Sequence, residues 1–567
     1  MAVSSTRMKR RLRHLALLVA IALVLVACSG SSDETTTTSL PSPDTTTTTP
    51  LASTTTAEEG PCSAAFCVTY HIRPEAIWSD SEPVTSGDFV YTAEVFADPL
   101  NRGLTTSGYE LIESAEAVDD KTVIFGFSEV YGPWRTLFDI VLPAHIGDPL
   151  DLSVTASAFR LGEIESDRIV LARNTNFWSD VDPGSGSPVG DVTHVEFITI
   201  PAVRDRLSAF EDLEVDVIKP TPLDWVVEDL NEMVSSNSAV SSGPFWEHID
   251  FNHDDPLLSQ RWVREAIAFG IDRNTILNET VRTVGPDTKP LGNSIWMTSA
   301  DTYVSHYDLA FDPIRSEQIL QDHGCTNSDD GIYECDGQRM SFAWTTTVGD
   351  EFRVKAADLI QESLAQIGIE IDIQLRTPSD LFSSDVLFGG PEIWQMINFS
   401  WKASADPHLG NSIYYCDGNA PSGFGALNVN RYCNDDVDSM VNSTDSILDS
   451  AERADVYNEA DRLYLEDLAI IPLYQKPSLL AWSVELSGLV PNMSRATDMW
   501  NLAAWKGPES IVIAIGTEPL LLDPVEPWNE DTALVMRSLV SGAFTTTPNL
   551  EFVPVLVDST EIYVSNP

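Results

Sequence analysis

Between residues 352 and 375 a helix, a stop and a strand follow one another without a gap, and this order restricts the fold more than any other feature of the chain. Leu359, Ile360, Leu364 and Ile367 recur at helical spacing, Gly368 ends the helix, and Ile369, Ile371, Ile373 and Leu375 then alternate with polar residues. Further strands are expected over 195–200, 215–218, 249–252, 393–399 and 511–515, and further helices over 261–270 and 451–465. The fold class is therefore α/β or mixed, and no period of about 20 to 50 residues points to a solenoid.

Charge removes one class of function. The 567 residues hold 33 Lys and Arg against 86 Asp and Glu, a formal net charge of -53. Nucleic acid is bound by clustered cations that displace counterions, so no nucleic-acid partner is expected. At 43% hydrophobic residues the chain is nonetheless rich enough to bury cores, unlike a disordered acidic tail.

The opening reads as an address and a tether. Arg7, Lys9, Arg10, Arg11 and Arg13 precede an uninterrupted apolar run over 15–27, which makes residues 1–27 a secretory signal peptide. The run is shorter than the roughly 20 apolar residues of a spanning helix, so an uncleaved anchor is the weaker alternative. Leu25-Val26-Ala27-Cys28 resembles a bacterial lipobox, with Cys28 as the lipidated residue. Residues 28–60 are dominated by Thr, Ser and Pro and form a disordered spacer whose coil would span about 30 Å.

Setting Cys28 aside leaves six cysteines outside the membrane, an even number that an oxidising compartment would pair. Fifteen pairings are possible; proximity in sequence favours Cys62–Cys67, Cys325–Cys335 and Cys416–Cys433. A zinc site is the rival, but the chain has no CxxC pair and its nine His are scattered, so no metal and no cofactor are expected. GxSxG, HExxH, GxGxxG and P-loop motifs are all absent, and no carboxylate pair stands out as acid and base.

Several stretches resemble one family, the extracytoplasmic solute-binding proteins of bacterial ABC importers of the peptide/nickel (oligopeptide)-binding type, family 5. Tyr70-His71-Ile72-Arg73-Pro74 followed by Trp78-Ser79-Asp80-Ser81-Glu82-Pro83-Val84-Thr85-Ser86-Gly87-Asp88-Phe89 is similar to its L-R-P strand and W-S-D-G-x-P-V-T-A-x-D segment, with Ser81 in place of the usual Gly. Thr85 and Asp88 read as an N-cap and first-turn acid of a helix from Phe89. Leu171-Ala172-Arg173-Asn174 through Trp178, Val263-Arg264-Glu265-Ala266-Ile267 through Arg273, Ile367-Gly368-Ile369, and Trp401 through Asp406-Pro407 resemble further family segments in the family's own order.

One segment is out of place. The family's usual opening, a strand followed by P-x-x-L-D-P, appears near the other end as Ile511-Val512-Ile513-Ala514-Ile515 and Pro519-Leu520-Leu521-Leu522-Asp523-Pro524. The body therefore reads as circularly permuted, and residues 561–564 are expected to pair with residues 68–72 as a hairpin with its turn cut open.

The resemblance implies a class II, three-domain binding-protein fold that closes as two lobes on a solute. Domain I would gather 61–74, 150–245 and 480–567; the small domain II would be 75–150; domain III would be 246–479. The implied protein is a monomer, anchored by lipid to the cell membrane on its outer side, that captures a small solute and passes it to the permease of an ABC transporter, with no catalytic role. Peptide is the first expectation. A receptor for an oligosaccharide or nickel chelate, or an extracellular hydrolase, is the alternative. The implied ligand contacts are Trp401, Ser404, Asp406, Trp528 and Tyr109. In peptide binders of the family an Asp three residues after the motif Trp receives the peptide ammonium; here that position is Ser404, and Asp406 lies two further on.

Overall fold

The computed structural model describes residues 62–98, 108–165, 167–416, 427–494, 496–519, 522–524 and 529–565. Cys28, the signal and tether segments and Trp528 lie outside the described residues.

The chain first builds a small sheet. β1 (Phe66–Ile72) is buried along nearly its whole length, β2 (Ile112–Asp119) and β3 (Thr122–Phe127) form an antiparallel hairpin, and β3 pairs with β1. Tyr70, Phe89, Phe125 and Phe138 meet ring to ring behind this sheet. The helix Ser86–Ala97 begins three residues before Phe89 because a capping box closes on Thr85. Buried Asp88 accepts hydrogen bonds from Thr85 N (2.7 Å), Trp78 Nε1 (3.2 Å) and Ala144 N (2.8 Å), so the motif's polar residues hold the small body together.

A ten-stranded sheet follows. β4 (Phe159–Glu165), β5 (Arg168–Arg173) and β6 (His194–Thr199) run antiparallel from one edge, then β7 (Val217–Ile218) and the long β8 (Ser236–Phe251) enter. The family-like segment from Leu171 to Trp178 leaves the sheet after Arg173, where the Asn174 side chain accepts from Asn176 N and turns the chain. The short strands β9 (Thr326–Asn327), β10 (Tyr333–Cys335) and β11 (Gln338–Arg339) make a separate three-stranded sheet. β12 (Ser341–Thr347), β13 (Glu370–Arg376) and β14 (Met396–Lys402) complete one end of the large sheet, with the helix Glu351–Ala365 crossing between β12 and β13 in parallel. This is the helix–glycine–strand unit, and Gly368 takes a φ of +74° there.

β15 (Ile470–Ser483) pairs with β8 from Ile470↔Asp250 to Ser483↔Ser236, with breaks in register between Pro472 and Tyr474 and between Gln475 and Pro477. On one side of the breaks β8 pairs with β14 through Phe245–Phe251; on the other, β15 pairs with β7 at Ala481 and Trp482. One sheet thus serves two lobes, crossed by two adjacent strands whose bulges sit at the crossing. The first half of β8, Ser-Asn-Ser-Ala-Val-Ser-Ser-Gly, has no apolar alternation, so the sequence signals only its end; extension comes from its partner. A Cβ on Gly243 would stand 2.8 Å from the Lys476 carbonyl oxygen, which leaves only glycine room at the crossing.

The lobes bury separate cores. One gathers Phe251, Ile267, Trp344, Ile360 and Tyr464. Another gathers Phe159, Leu171, Trp505, Ile513 and Leu539. The small sheet has its own.

β16 (Ser510–Ile515) lies between β7 and β6, parallel to both, so the out-of-place segment fills the middle of the same sheet. After the helix Glu530–Leu539 come the hairpin β17 (Phe544–Thr546) and β18 (Phe552–Pro554), then β19 (Val557–Val564). β19 pairs antiparallel with β1, Thr69 opposite Glu561 and Val68 opposite Ile562, and the pairing runs on to Phe66↔Val564 and Ile72↔Val557. The small sheet therefore has the order β19-β1-β3-β2. β1, expected with domain I, shares a sheet with β3, expected in the small domain II. The disulfides are Cys62–Cys67, Cys325–Cys335 and Cys416–Cys433, the proximal pairing.

Candidate functional site

Where β8 and β15 cross, charges from three elements converge. Glu247 on β8, 1% exposed at its side chain, accepts from Arg353 Nε at 2.9 Å, Ser400 Oγ at 2.6 Å, Asn398 Nδ2 at 3.1 Å and Lys476 Nζ at 3.0 Å. Lys476 also reaches Asp350 Oδ2 at 3.0 Å. Burial alone would raise the Glu247 carboxyl, but Lys476 and Arg353 outweigh it and hold it well below the carboxylate range. The cluster ties β8, β14, β15 and the helix Glu351–Ala365 into a rigid root for one lobe.

The small body reaches across to this same lobe. Tyr131 Oη lies 3.0 Å from His408 Nε2, and His408 Nδ1 lies 2.7 Å from Asp445 Oδ1. Gly132 N donates to the Asp445 carbonyl, and a Cβ at Gly132 would collide with the Ile447 carbonyl oxygen. This contact closes the jaw.

Behind the jaw a narrow cavity, with about 30 Å³ of free space, opens between the lobes. Arg135, Thr136, Asp139, Phe544 and Thr545 line it from one lobe, and Ser404, Ala405, Asp406 and Leu409 from the other. Asp406 is the N-cap of the 3₁₀ helix Pro407–Ile413 and accepts from His408 N at 3.0 Å. Its carboxylate also takes both arms of Arg453, at 2.6 and 2.7 Å. Burial pushes that carboxyl up, but Arg453 outweighs it and keeps it below its ordinary range. Ser404 Oγ, by contrast, is buried without a hydrogen-bond partner.

The structure brings Ser404 and Asp406 together and places Trp401 and Tyr109 away from this lining. Trp401 sits on β14, stacked on His248 at 6.1 Å and edge-on to Phe399 at 4.9 Å. Tyr109 is buried in the small core, stacked on Phe96 at 5.2 Å, with its hydroxyl accepting from Phe138 N at 2.7 Å. Trp528 lies outside the described residues. Arg135, Arg453 and the Glu247 cluster were not singled out from sequence. Arg453 sits one helical turn inside the 450–466 pattern, its partner 47 residues away, and no spacing rule joins them.

A two-lobed sheet with bulged crossovers, a closing jaw and an interlobe cavity define a solute-binding clamp. The chain matches the family described as bacterial extracellular solute-binding proteins, family 5 middle, over residues 65–421, and it belongs to that family. The oligopeptide-binding protein OppA of Mycobacterium tuberculosis is 28% identical over 443 residues, covering 73% of this chain and 70% of that protein. Among solved structures, the periplasmic EDTA-binding protein EppA aligns with a TM-score of 0.69 at 19% identity over 78% of this chain and 85% of that one. The oligopeptide-binding protein AppA of Bacillus subtilis, in complex with a nonapeptide, aligns at 0.61 and 20% identity over 79% and 88%. The chain is thus the substrate-binding component of ABC import, a non-enzyme, acting outside the cytoplasm. Among the described residues no helix is long and apolar enough to cross a membrane.

Proposed function

We propose that this protein captures peptides between its two lobes and hands them to an ABC permease, held to the outer face of the cell membrane as a monomer by a lipid on Cys28. The interlobe cavity carries this reading: it collects Ser404 and Asp406 from one lobe and Thr545 from the other, so a solute seated there bridges both and favours closure. Oligopeptide binding by the relative OppA, by its name, supports peptide as the solute.

Domain III is 246–479, between the two crossings, and domain I takes 150–245 with most of 480–567. The small domain II is 75–150, extended by β1 and β19. The body is a circular permutation of the family order: β16 occupies an interior position of the sheet and β19 closes on β1, which supports one fold with its hairpin turn opened. Ser404 and Asp406 are the proposed contacts, Asp406 through its N-cap and Arg453, and Trp528 remains proposed with them.

Thermal shift of the protein against peptide, oligosaccharide and metal-chelate libraries tests the solute. A peptide at about 100 times its dissociation constant adds roughly 2.7 kcal/mol of stability. Stabilisation by sugars or chelates with none by peptides overturns the assignment. Cys28→Ala leaves the fold unchanged and releases the protein from sedimenting membranes; continued firm sedimentation removes the lipid anchor.

A further inference from the structure

Among the described residues three charged side chains line the interlobe cavity, and two are already answered. Asp406 is held by both arms of Arg453, and Asp139 pairs with Arg537. Arg135 has no ion pair among the described residues. Its guanidinium lies over the Trp134 ring, 4.2 Å from the centroid, an arrangement that fixes the plane of the group and leaves its donor edge free. From the other lobe, Ser404 contributes a buried hydroxyl that no atom of the described residues satisfies, and a buried polar atom without a partner is destabilising until something supplies one. With those two pairs set aside, the described lining offers one cation without an ion pair and one unanswered hydroxyl, inside a protein whose formal net charge is -53.

We propose that the clamp selects its solute by an anionic group, a carboxylate paired with the Arg135 guanidinium while Ser404 hydrogen-bonds a polar atom beside it. An ammonium finds no free carboxylate on this lining, so the polarity is the reverse of that implied by an ammonium-binding Asp. Because Arg135 and Ser404 stand on opposite lobes, the anion also links recognition to closure. The inference rests on the cavity being the solute site proposed above, but not on the solute being a peptide.

Calorimetric titration of the full-length protein in detergent micelles tests it with matched probes: random pentapeptides with free or amidated C-termini, and a uronate disaccharide beside its neutral counterpart. The acid member of a pair should bind about ten- to a hundredfold more tightly, the range of a charge-assisted hydrogen bond. Arg135→Gln should erase that preference and Arg135→Lys restore part of it, with melting temperatures unchanged. Equal binding of acid and neutral members, a preference that survives Arg135→Gln, or no binding of any acid probe overturns the proposal. Arg135-dependent binding of the uronate alone would remove the peptide reading and leave this one standing.

Discussion

Two of the places where the lobes meet are built from opposite materials. At the root, two continuous strands cross, and Glu247, Arg353, Lys476 and Asp350 form a network of opposed charges around a carboxylate that is 1% exposed. At the jaw, the lobes touch through a tyrosine hydroxyl, an imidazole and a backbone amide from Gly132. Breaking the first strands cations beside a desolvated carboxylate position; breaking the second costs a few hydrogen bonds that water can replace. A clamp needs this asymmetry, since the root must survive every opening and the jaw must not resist it.

The largest effect is expected at the root. Glu247→Ala leaves Arg353 and Lys476 without their main partner and should destabilise the protein by about 3 kcal/mol, the lower end for a broken buried pair because Lys476 keeps some access to water. Urea unfolding monitored by circular dichroism measures it, and a loss under about 1 kcal/mol would make the root no stronger than the jaw. Acid should weaken the same place. The folded Glu247 carboxyl lies below its unfolded value, so its contribution is complete above the unfolded value of about 4.3 and drains away as pH falls below it. Melting temperature followed from pH 6 to 3 should fall less steeply in Glu247→Gln than in the parent.

Gly132→Ala drives a methyl into the Ile447 carbonyl and should hold the jaw open while both lobes stay folded. Small-angle scattering should show a larger radius of gyration with solute present, and affinity should fall about tenfold, which is about 1.4 kcal/mol of lost closure. An unchanged radius would mean that the lobes close without this contact. Tyr131→Phe removes a single hydroxyl and should cost about 1 kcal/mol of closure at most, seen as a severalfold faster release of solute with no change in unfolding.

What the sequence made readable was local. Gly368, with Ile369 and Ile371 after it, marks the end of a helix and the start of a strand because both signals lie within a few residues. Thr85 and Asp88 disclose a cap for the same reason, and the close-spaced cysteines disclose their pairing. β19 was legible at long range because the displaced family opening sets it opposite β1 and both runs alternate. The site was less readable. Asp406 was visible as a carboxylate before proline, but its partner Arg453 answers it from another helix, and Glu247 draws its partners from residues 353, 400 and 476. Trp401 and Tyr109 carried the expectation of ligand contacts; their rings face His248 and Phe96, choices made by packing that no spacing announces.

The zipper of β19 onto β1 also bears on mechanics. Any pull transmitted along the chain from residue 61 enters at Cys62, and the disulfide to Cys67 passes it directly into β1. That strand is gripped on both flanks, by β19 and β3. A load applied along the strand would shear these rungs together, not peel them one after another, on a path that leaves the crevice between the lobes aside.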